Sequence, residues 1–416
     1  MVQIVSSPPA TPAILAIFAL TYLGVAIGHV PGLKLNRTGV ALLGAIAIMI
    51  FSGLPTATVV GFINWPTVLL LFGFFVLSSQ LRLSGFFDKV ANDVSARLGN
   101  PGRFLLTLML VTAGLSAFLN HDIVCFVFAP VVATALLKRR LNPVPFLIAL
   151  AVSSNVGAAA TPVGNPQDMM IAQETGLDFG RYVLWCITPV LLALATSWAI
   201  IWMMSRRDLE STAPVRTHVS SRPVPFNRPH TIKGLIILGL VIAFFFSSVP
   251  KEITALTAAG IHLASRKYRT EDLLAQVDWP ILVLFTGLFV VTGAFQAAGY
   301  GERAVHWLAR GGLNLQSQPI LAVVTAALSN LINNSAAALL LVKVVHMDRP
   351  STAYVLALAN SFGGSLIVLG SVSNIIVVQR SRELGIRISF RDFARLGVPV
   401  TAAAMAVLLA WLMLVT

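Results

Sequence analysis

Two short polar clusters, Asn120-His121-Asp122 and Asn333-Asn334-Ser335, sit in the middle of otherwise apolar stretches. Each is followed by a second interruption. The first runs Ser153-Ser154-Asn155 through Gly157, Thr161-Pro162, Gly164-Asn165-Pro166-Gln167 and Asp168, and the second runs Asn360-Ser361 through Gly363-Gly364, Gly370-Ser371, Ser373 and Asn374. Ionisable groups among apolar residues are costly to bury, so a carboxylate held there is a functional candidate. The chemistry open to this set is ion binding. Asn and Ser oxygens with freed backbone carbonyls suit a small hard cation such as sodium. A half-helix that starts inside an apolar layer turns unpaired amides and a positive dipole end toward an anion.

This divides the candidates. Asn120, His121, Thr161, Asn333, Asn334, Ser335 and Ser371 are expected to meet a small anionic substrate. Asp122, Asn155, Gly164, Asn165, Asp168, Ser361, Gly370, Ser373 and Asn374 are expected to hold or couple the driving ion. If that ion is sodium, Asn120, Asn155 and Asn165 would form one site, and Asn333, Ser371 and Asn374 its symmetry mate, each joining a polar tip to its own repeat's break. If it is a proton, Asp122 is the carrier, since desolvation disfavours a midplane carboxylate's charged form; a cap on the turn is the alternative role. Asp168 stands where the other repeat has Asn374, so a hydrogen-bond acceptor suffices there. His121 can titrate near neutral pH or serve as a satisfied polar tip. Lys343, about ten residues past its tip, is expected to snorkel to the outer interface. No cofactor is implied beyond the coupling ion.

These residues need elements that carry polar groups to membrane depth. Pro162 and Pro166 forbid an unbroken helix, and Gly157 and Gly164 lower the cost of unwinding. The counterpart breaks at Gly363-Gly364 and Gly370 without proline. Residues 103–137 and 319–346 read as re-entrant hairpins, because exposed backbone at that depth is tolerated only around a protein-lined cavity. Full crossings fall near 13–30, 38–52, 66–80, 144–172 and 182–204, then near 232–249, 252–265, 280–297, 352–378 and 395–415. The expected fold class is an all-α polytopic membrane protein of two inverted repeats, each with about five crossings, one re-entrant hairpin and a discontinuous helix. The first repeat is 1–204, with hairpin 103–137 and broken span 144–172. A cytoplasmic linker covers 205–231, and the second repeat is 232–416, with hairpin 319–346 and broken span 352–378.

The duplication is legible residue by residue. Asn64-Trp65-Pro66 recurs as Asp278-Trp279-Pro280, Leu115-Ser116 through Asp122 as Leu328-Ser329 through Ser335, and Gly157 through Asp168 as Gly363 through Asn374. An odd number of crossings per half turns the second half upside down, the arrangement that lets one site face either side in turn. Composition agrees: 56% of the 416 residues are hydrophobic and 11% charged, less than half the usual charged share. The net charge of +13 is explained by topology, since 23 of the 29 Lys and Arg fall in loops on the linker side. By the positive-inside rule that side is cytoplasmic and both termini are outside a plasma (inner) membrane. No nucleic-acid partner is needed to explain the charge; the bilayer is the partner. Cys125 and Cys186 read as reduced packing thiols, and Met1 to Pro12 lacks the basic region of a signal peptide, so the first apolar run is expected to stay.

The motifs at 120–122 and 154–167 resemble the ion transporter superfamily that holds arsenite pumps, NhaD-type sodium/proton antiporters and divalent anion/sodium symporters; the Gly164-Asn165-Pro166-Gln167 element is closest to bacterial anion or citrate-type permeases. The resemblance implies an elevator-like movement, a homodimer and, on the arsenite branch, an associated ATPase subunit. It also implies that the hairpin tips contact substrate and ion, although neither tip carries the symporters' Ser-Asn-Thr. Secondary transport of a small anion, an inorganic oxyanion such as arsenite or a small carboxylate, coupled to sodium or protons, is therefore expected first. An NhaD-type antiporter comes second. An enzyme is not expected, since no His-Glu-x-x-His, Gly-x-Ser-x-Gly or Walker motif is present.

Overall fold

The computed structural model describes residues 12–28, 33–97, 99–209 and 224–415, so most of the interval between the repeats lies outside the described residues. Asn or Asp followed by Pro starts several helices: the side chain caps the free amides and Pro occupies a position whose N–H would have no partner. Asn64 accepts from Thr67 N and Asp278 from Ile281 N, at equivalent places in the two repeats.

In the first repeat α1 (Pro12–Ile27), α2 (Arg37–Phe51), the short α3 (Thr56–Gly61) and α4 (Trp65–Leu83) are followed by the amphipathic α5 (Phe86–Ala96). A hairpin of α6 (Pro101–Phe118) and α7 (His121–Lys138) comes next, then α8 (Val144–Ala158) and α9 (Pro166–Thr175), separated by an irregular turn, and α10 (Phe179–Leu209). The second repeat restates this order. It has α11 (Arg228–Phe244), α12 (Lys251–Leu263), α13 (Thr270–Leu274), α14 (Trp279–Ala297) and the amphipathic α15 (Tyr300–Arg310). It ends with the hairpin α16 (Gln318–Ile332) and α17 (Asn334–Val344), the pair α18 (Pro350–Gly363) and α19 (Val372–Glu383), and α20 (Phe390–Val415). Among the described residues the helices form the architecture, with discontinuous spans at equivalent positions. Among the described residues six helices, two of them the arms α6 and α7 of the first hairpin, are long and apolar enough to cross a membrane alone. Their outward side chains, such as Leu184 and Leu414, are more than three-quarters exposed, as lipid-facing residues are.

Close helix contacts fix the architecture, and they come in symmetry-related pairs. A Cβ on Gly73 of α4 would lie 2.7 Å from the Ala255 carbonyl carbon of α12, and one on Gly287 of α14 would lie 2.7 Å from that of Ala41 on α2. The two repeats are thus interlocked rather than side by side. Gly157 and Gly363 do the same inside the hairpin units: a Cβ there would fall 2.3 Å from Ala113 Cα and 2.7 Å from Ala326 Cα. This corrects the reading of Gly157 as an unwinding residue. It lies inside α8, where the missing side chain lets α6 approach, and the break begins only at Ala159. Gly164, whose Cβ would meet Ala158 O at 2.1 Å, does belong to the turn.

Candidate functional site

Each hairpin tip is closed by an asparagine that caps its second helix. Asn120 Oδ1 accepts from Asp122 N at 2.8 Å, and Asn333 Oδ1 accepts from Ser335 N at 2.9 Å. Asn333 does so at φ 81°, outside the usual range for a side-chain-bearing residue. All sixteen candidate residues lie in buried positions. The first tip is tied to its own repeat's broken span, because Ser154 Oγ donates to the His121 carbonyl at 3.2 Å and Thr161 Oγ1 donates to the Ala117 carbonyl.

The breaks themselves pair across the repeats. Asn155 of α8 accepts on Oδ1 from Ser371 Oγ (2.9 Å) and Ser373 Oγ (3.0 Å), and its Nδ2 donates to Asn374 Oδ1 at 2.9 Å. Asn374 Nδ2 is spent on the Gly364 and Ile367 carbonyls, at 2.7 and 2.9 Å. The symmetry-related cluster is built from Ser361 of α18 and the start of α9: Asn165 Nδ2 donates to Ser361 Oγ at 3.0 Å and to Asp168 Oδ2 at 2.7 Å, and Gln167 Nε2 donates to Ser335 Oγ at 3.0 Å. The expected grouping of Asn120 with Asn155 and Asn165, and of Asn333 with Ser371 and Asn374, is therefore not the one the hydrogen bonds make. The reason is topological: where inverted repeats interlock, the half-helix beginning in one repeat faces the span ending in the other. Gly370 sits beside the Asn155 cluster: a Cβ there would meet Asn330 Oδ1 at 2.3 Å and, at 2.9 Å, the Gly364 carbonyl to which Asn374 donates.

The two clusters differ chemically. In the Asn155 cluster every named Asn and Ser side chain is engaged. In the Asp168 cluster, Asp168 Oδ1 and Gln167 Oε1 are buried with no hydrogen-bond partner among the described residues, as are Asn334 Oδ1 and both polar atoms of Asn360 nearby in sequence. Unsatisfied acceptors at this depth suit a proton or a cation. At the first tip, Asp122 Oδ1 likewise accepts no hydrogen bond among the described residues, and lies 3.4 Å from His121 Nε2, within ion-pair distance when the imidazole is protonated.

Lys343 departs from expectation. Rather than snorkelling, its Nζ donates to Glu174 Oε2 at 2.5 Å, and Glu174 Oε1 accepts from Asn64 Nδ2 at 2.8 Å. Glu174 is absent from the residues the sequence singled out; a carboxylate six residues past Asp168 in the same short helix was the available signal. Arg82 and Asp278 were also missed as site residues. Together with Asn120, Asp122 and Phe126 they line a cavity of about 240 Å³ that leads to the first tip.

The chain is similar in sequence and fold to known transporters. A Mycobacterium tuberculosis protein described as an uncharacterised transporter is 29% identical over 94% of this chain and 96% of its own. The silicon efflux transporter LSI3 of Oryza sativa is 24% identical over 94% and 95%, and the putative transporter arsB of Dictyostelium discoideum is 22% identical over 92% and 88%. Among solved structures, the YdaH transporter of Alcanivorax borkumensis, described as having an unusual topology, shares the fold with a TM-score of 0.62 over 98% of this chain and 97% of that one, at 14% identity. The family described as citrate transporter (CitMHS), within the ion transporter superfamily, matches residues 13–347, and the chain, an integral membrane transporter of the citrate and anion permease type, belongs to it.

Proposed function

We propose that the protein is a secondary active transporter that moves a small oxyanion or carboxylate, arsenite being one candidate, in exchange or symport with a proton or sodium ion. The observation that carries this reading is the Asp168 cluster. It joins both repeats, holds one carboxylate oxygen without a partner, and abuts the second hairpin tip through Gln167 and Ser335. The N-termini of α7, α9, α17 and α19 supply amides and positive dipole ends for the anion, while Asp168 supplies the coupling charge. The Asn155 cluster, neutral and internally satisfied, then serves as a hinge between repeats. The residues fit a sodium ion better at Asp168 than at Asn155, because the Asn155 oxygen already accepts two hydroxyl hydrogen bonds.

The proposal includes an elevator-like displacement of the hairpins and broken spans against α1, α2, α11 and α12, a homodimer built on that scaffold, and termini outside the cytoplasmic membrane. A sodium/proton antiporter is the second reading, favoured by the carboxylate oxygens of Asp122 and Asp168 that accept no hydrogen bond among the described residues. Purified protein in proteoliposomes separates the two. Labelled arsenite, phosphate and citrate are offered with sodium and proton gradients imposed one at a time. Gradient-driven anion accumulation is expected; sodium–proton exchange at full rate without any anion would overturn the first reading in favour of the second.

A further inference from the structure

The polar and charged groups at the two ends of the spans lie outside the Asn155 and Asp168 clusters, and the repeat relates them. Asn64 and Asp278 cap α4 and α14 and are each followed by Trp-Pro. Glu174 and Arg380 stand six residues after the equivalent Asp168 and Asn374. Because the repeats are inverted, Asn64 and Glu174 lie at one end of the molecule and Asp278 and Arg380 at the other.

At the Asn64 end the pair is closed. Asn64 Nδ2 donates to Glu174 at 2.8 Å, Lys343 completes the contact at 2.5 Å, Gln296 Nε2 of α14 donates to the Lys343 carbonyl at 2.7 Å, and α4 packs on α9 as α14 packs on α17. At the Asp278 end the corresponding helices flank the cavity of about 240 Å³. There Asp278 and Arg380 make no ion pair with each other. Arg380 instead lies 3.4 Å from the centroid of the Phe126 ring and donates to Glu383, and Arg82, the repeat equivalent of Gln296, lies 4.3 Å from the same centroid. Two guanidinium groups thus share the Phe126 ring; Arg82 and that ring line the cavity, whose other charged lining groups are Asp122 and Asp278. A scaffold with two-fold pseudo-symmetry is closed at one end and open at the other.

We propose that Asp278 and Arg380 form the ion pair that closes this cavity in the molecule's other conformation, as Asn64 and Glu174 close the opposite end in this one. The inference rests on the transport reading. Inverted repeats reach the opposite-facing state by exchanging conformations, so the contact each repeat makes now is the contact its partner makes next. Closing α14 onto α19 in the way α4 lies on α9 brings the Asp278 carboxylate to Arg380, with opposite charges where the other end has an amide and a carboxylate. Arg380 leaves Phe126 and the neighbouring Arg82 charge, and the release of that like-charge contact favours closure. Glu174 and Lys343 separate as the far end opens.

Cross-linking tests the pair without any assay of flux. The native cysteines, Cys125 and Cys186, are both fully buried, so Asp278→Cys with Arg380→Cys supplies the reactive thiols. In proteoliposomes a short bis-thiosulfonate is expected to link the two, to stop labelled-anion flux, and to release it on reduction. No cross-link in a double variant that retains flux would overturn the proposal. A charge exchange, Asp278→Arg with Arg380→Asp, is expected to recover at least tenfold of the flux that either single change removes. Single variants as inactive as the exchanged pair, all of them monodisperse in detergent, would also overturn it. Asp278→Asn copies the residue at the other end, and is expected to raise the labelling rate of Ile376→Cys, in the cavity wall, several-fold; an unchanged rate counts against the pair. Cross-linking in a protein that moves no anion would leave the pair standing and refute the transport reading alone.

Discussion

The Glu174–Lys343 pair makes the sharpest energetic test. The change is Glu174→Gln, which preserves size and leaves an amide that can still meet Asn64. The Lys343 ammonium loses the carboxylate at 2.5 Å while its main-chain carbonyl stays bound by Gln296. Breaking a fully buried pair costs roughly 3–5 kcal/mol, chiefly because one charge is left uncompensated. The Glu174 side chain is 10% exposed and the Lys343 side chain 27%, so solvent screens part of this and about 2 kcal/mol is expected. Lys343→Met removes the other charge and is expected to cost a similar amount. The double variant should cost less than either single change, since no orphan charge remains. A double-mutant cycle on thermal unfolding in detergent reads the coupling, and both single changes lower the midpoint. Additive losses, with the double variant the least stable of the three, would refute the pair as an energetic unit.

Asp168→Asn should fold, since Asn occupies the equivalent place in the other repeat. With one coupled proton, a gradient of one pH unit drives about tenfold accumulation, and this is expected to fall to unity in the variant under assay with a labelled anion. Gly287→Val places a branched side chain against the Ala41 carbonyl, 2.7 Å from where Cβ would sit. It should destabilise by roughly 1–3 kcal/mol, read as a lowered unfolding midpoint. Burial, with the Asp122 carboxylate behind it, pushes Asp278 up from 3.8 to about 6. Its neutral form is the one this open conformation favours: that stabilisation is whole below about 3.8 and is lost as pH rises through 6. The thiolate fraction of Ile376→Cys rises with pH on its own, so its labelling rate is read as a ratio to that of the same cysteine with Asp278→Asn, and this ratio should fall as pH is raised from 5 to 7. The groups facing Asp278 across the cavity, Asp122 and Arg82, are left in place by that variant.

The duplicated sequence carried the fold a long way. Two Trp-Pro starts, two polar tips and two small-residue breaks at one spacing cannot be built except as repeated hairpins and discontinuous spans, because proline, glycine and unpaired backbone act locally and obey the same rule wherever they occur. The polar residues at membrane depth were legible for the same reason: each violates the apolar pattern of its own segment. Their partners were not. Asn155 meets Ser371, Ser373 and Asn374, and Asn165 meets Ser361, because interlocked inverted repeats bring residues some two hundred positions apart into contact, and nothing in a local pattern fixes which ends meet. Gly157 shows the same limit, since a glycine that permits unwinding and one that permits close packing look identical in sequence. So does Lys343: whether a long cation snorkels or pairs depends on a glutamate delivered by another helix. What the sequence determined was which groups had to be satisfied inside the membrane, and what only the tertiary structure decided was by whom, because satisfaction is a matter of distance.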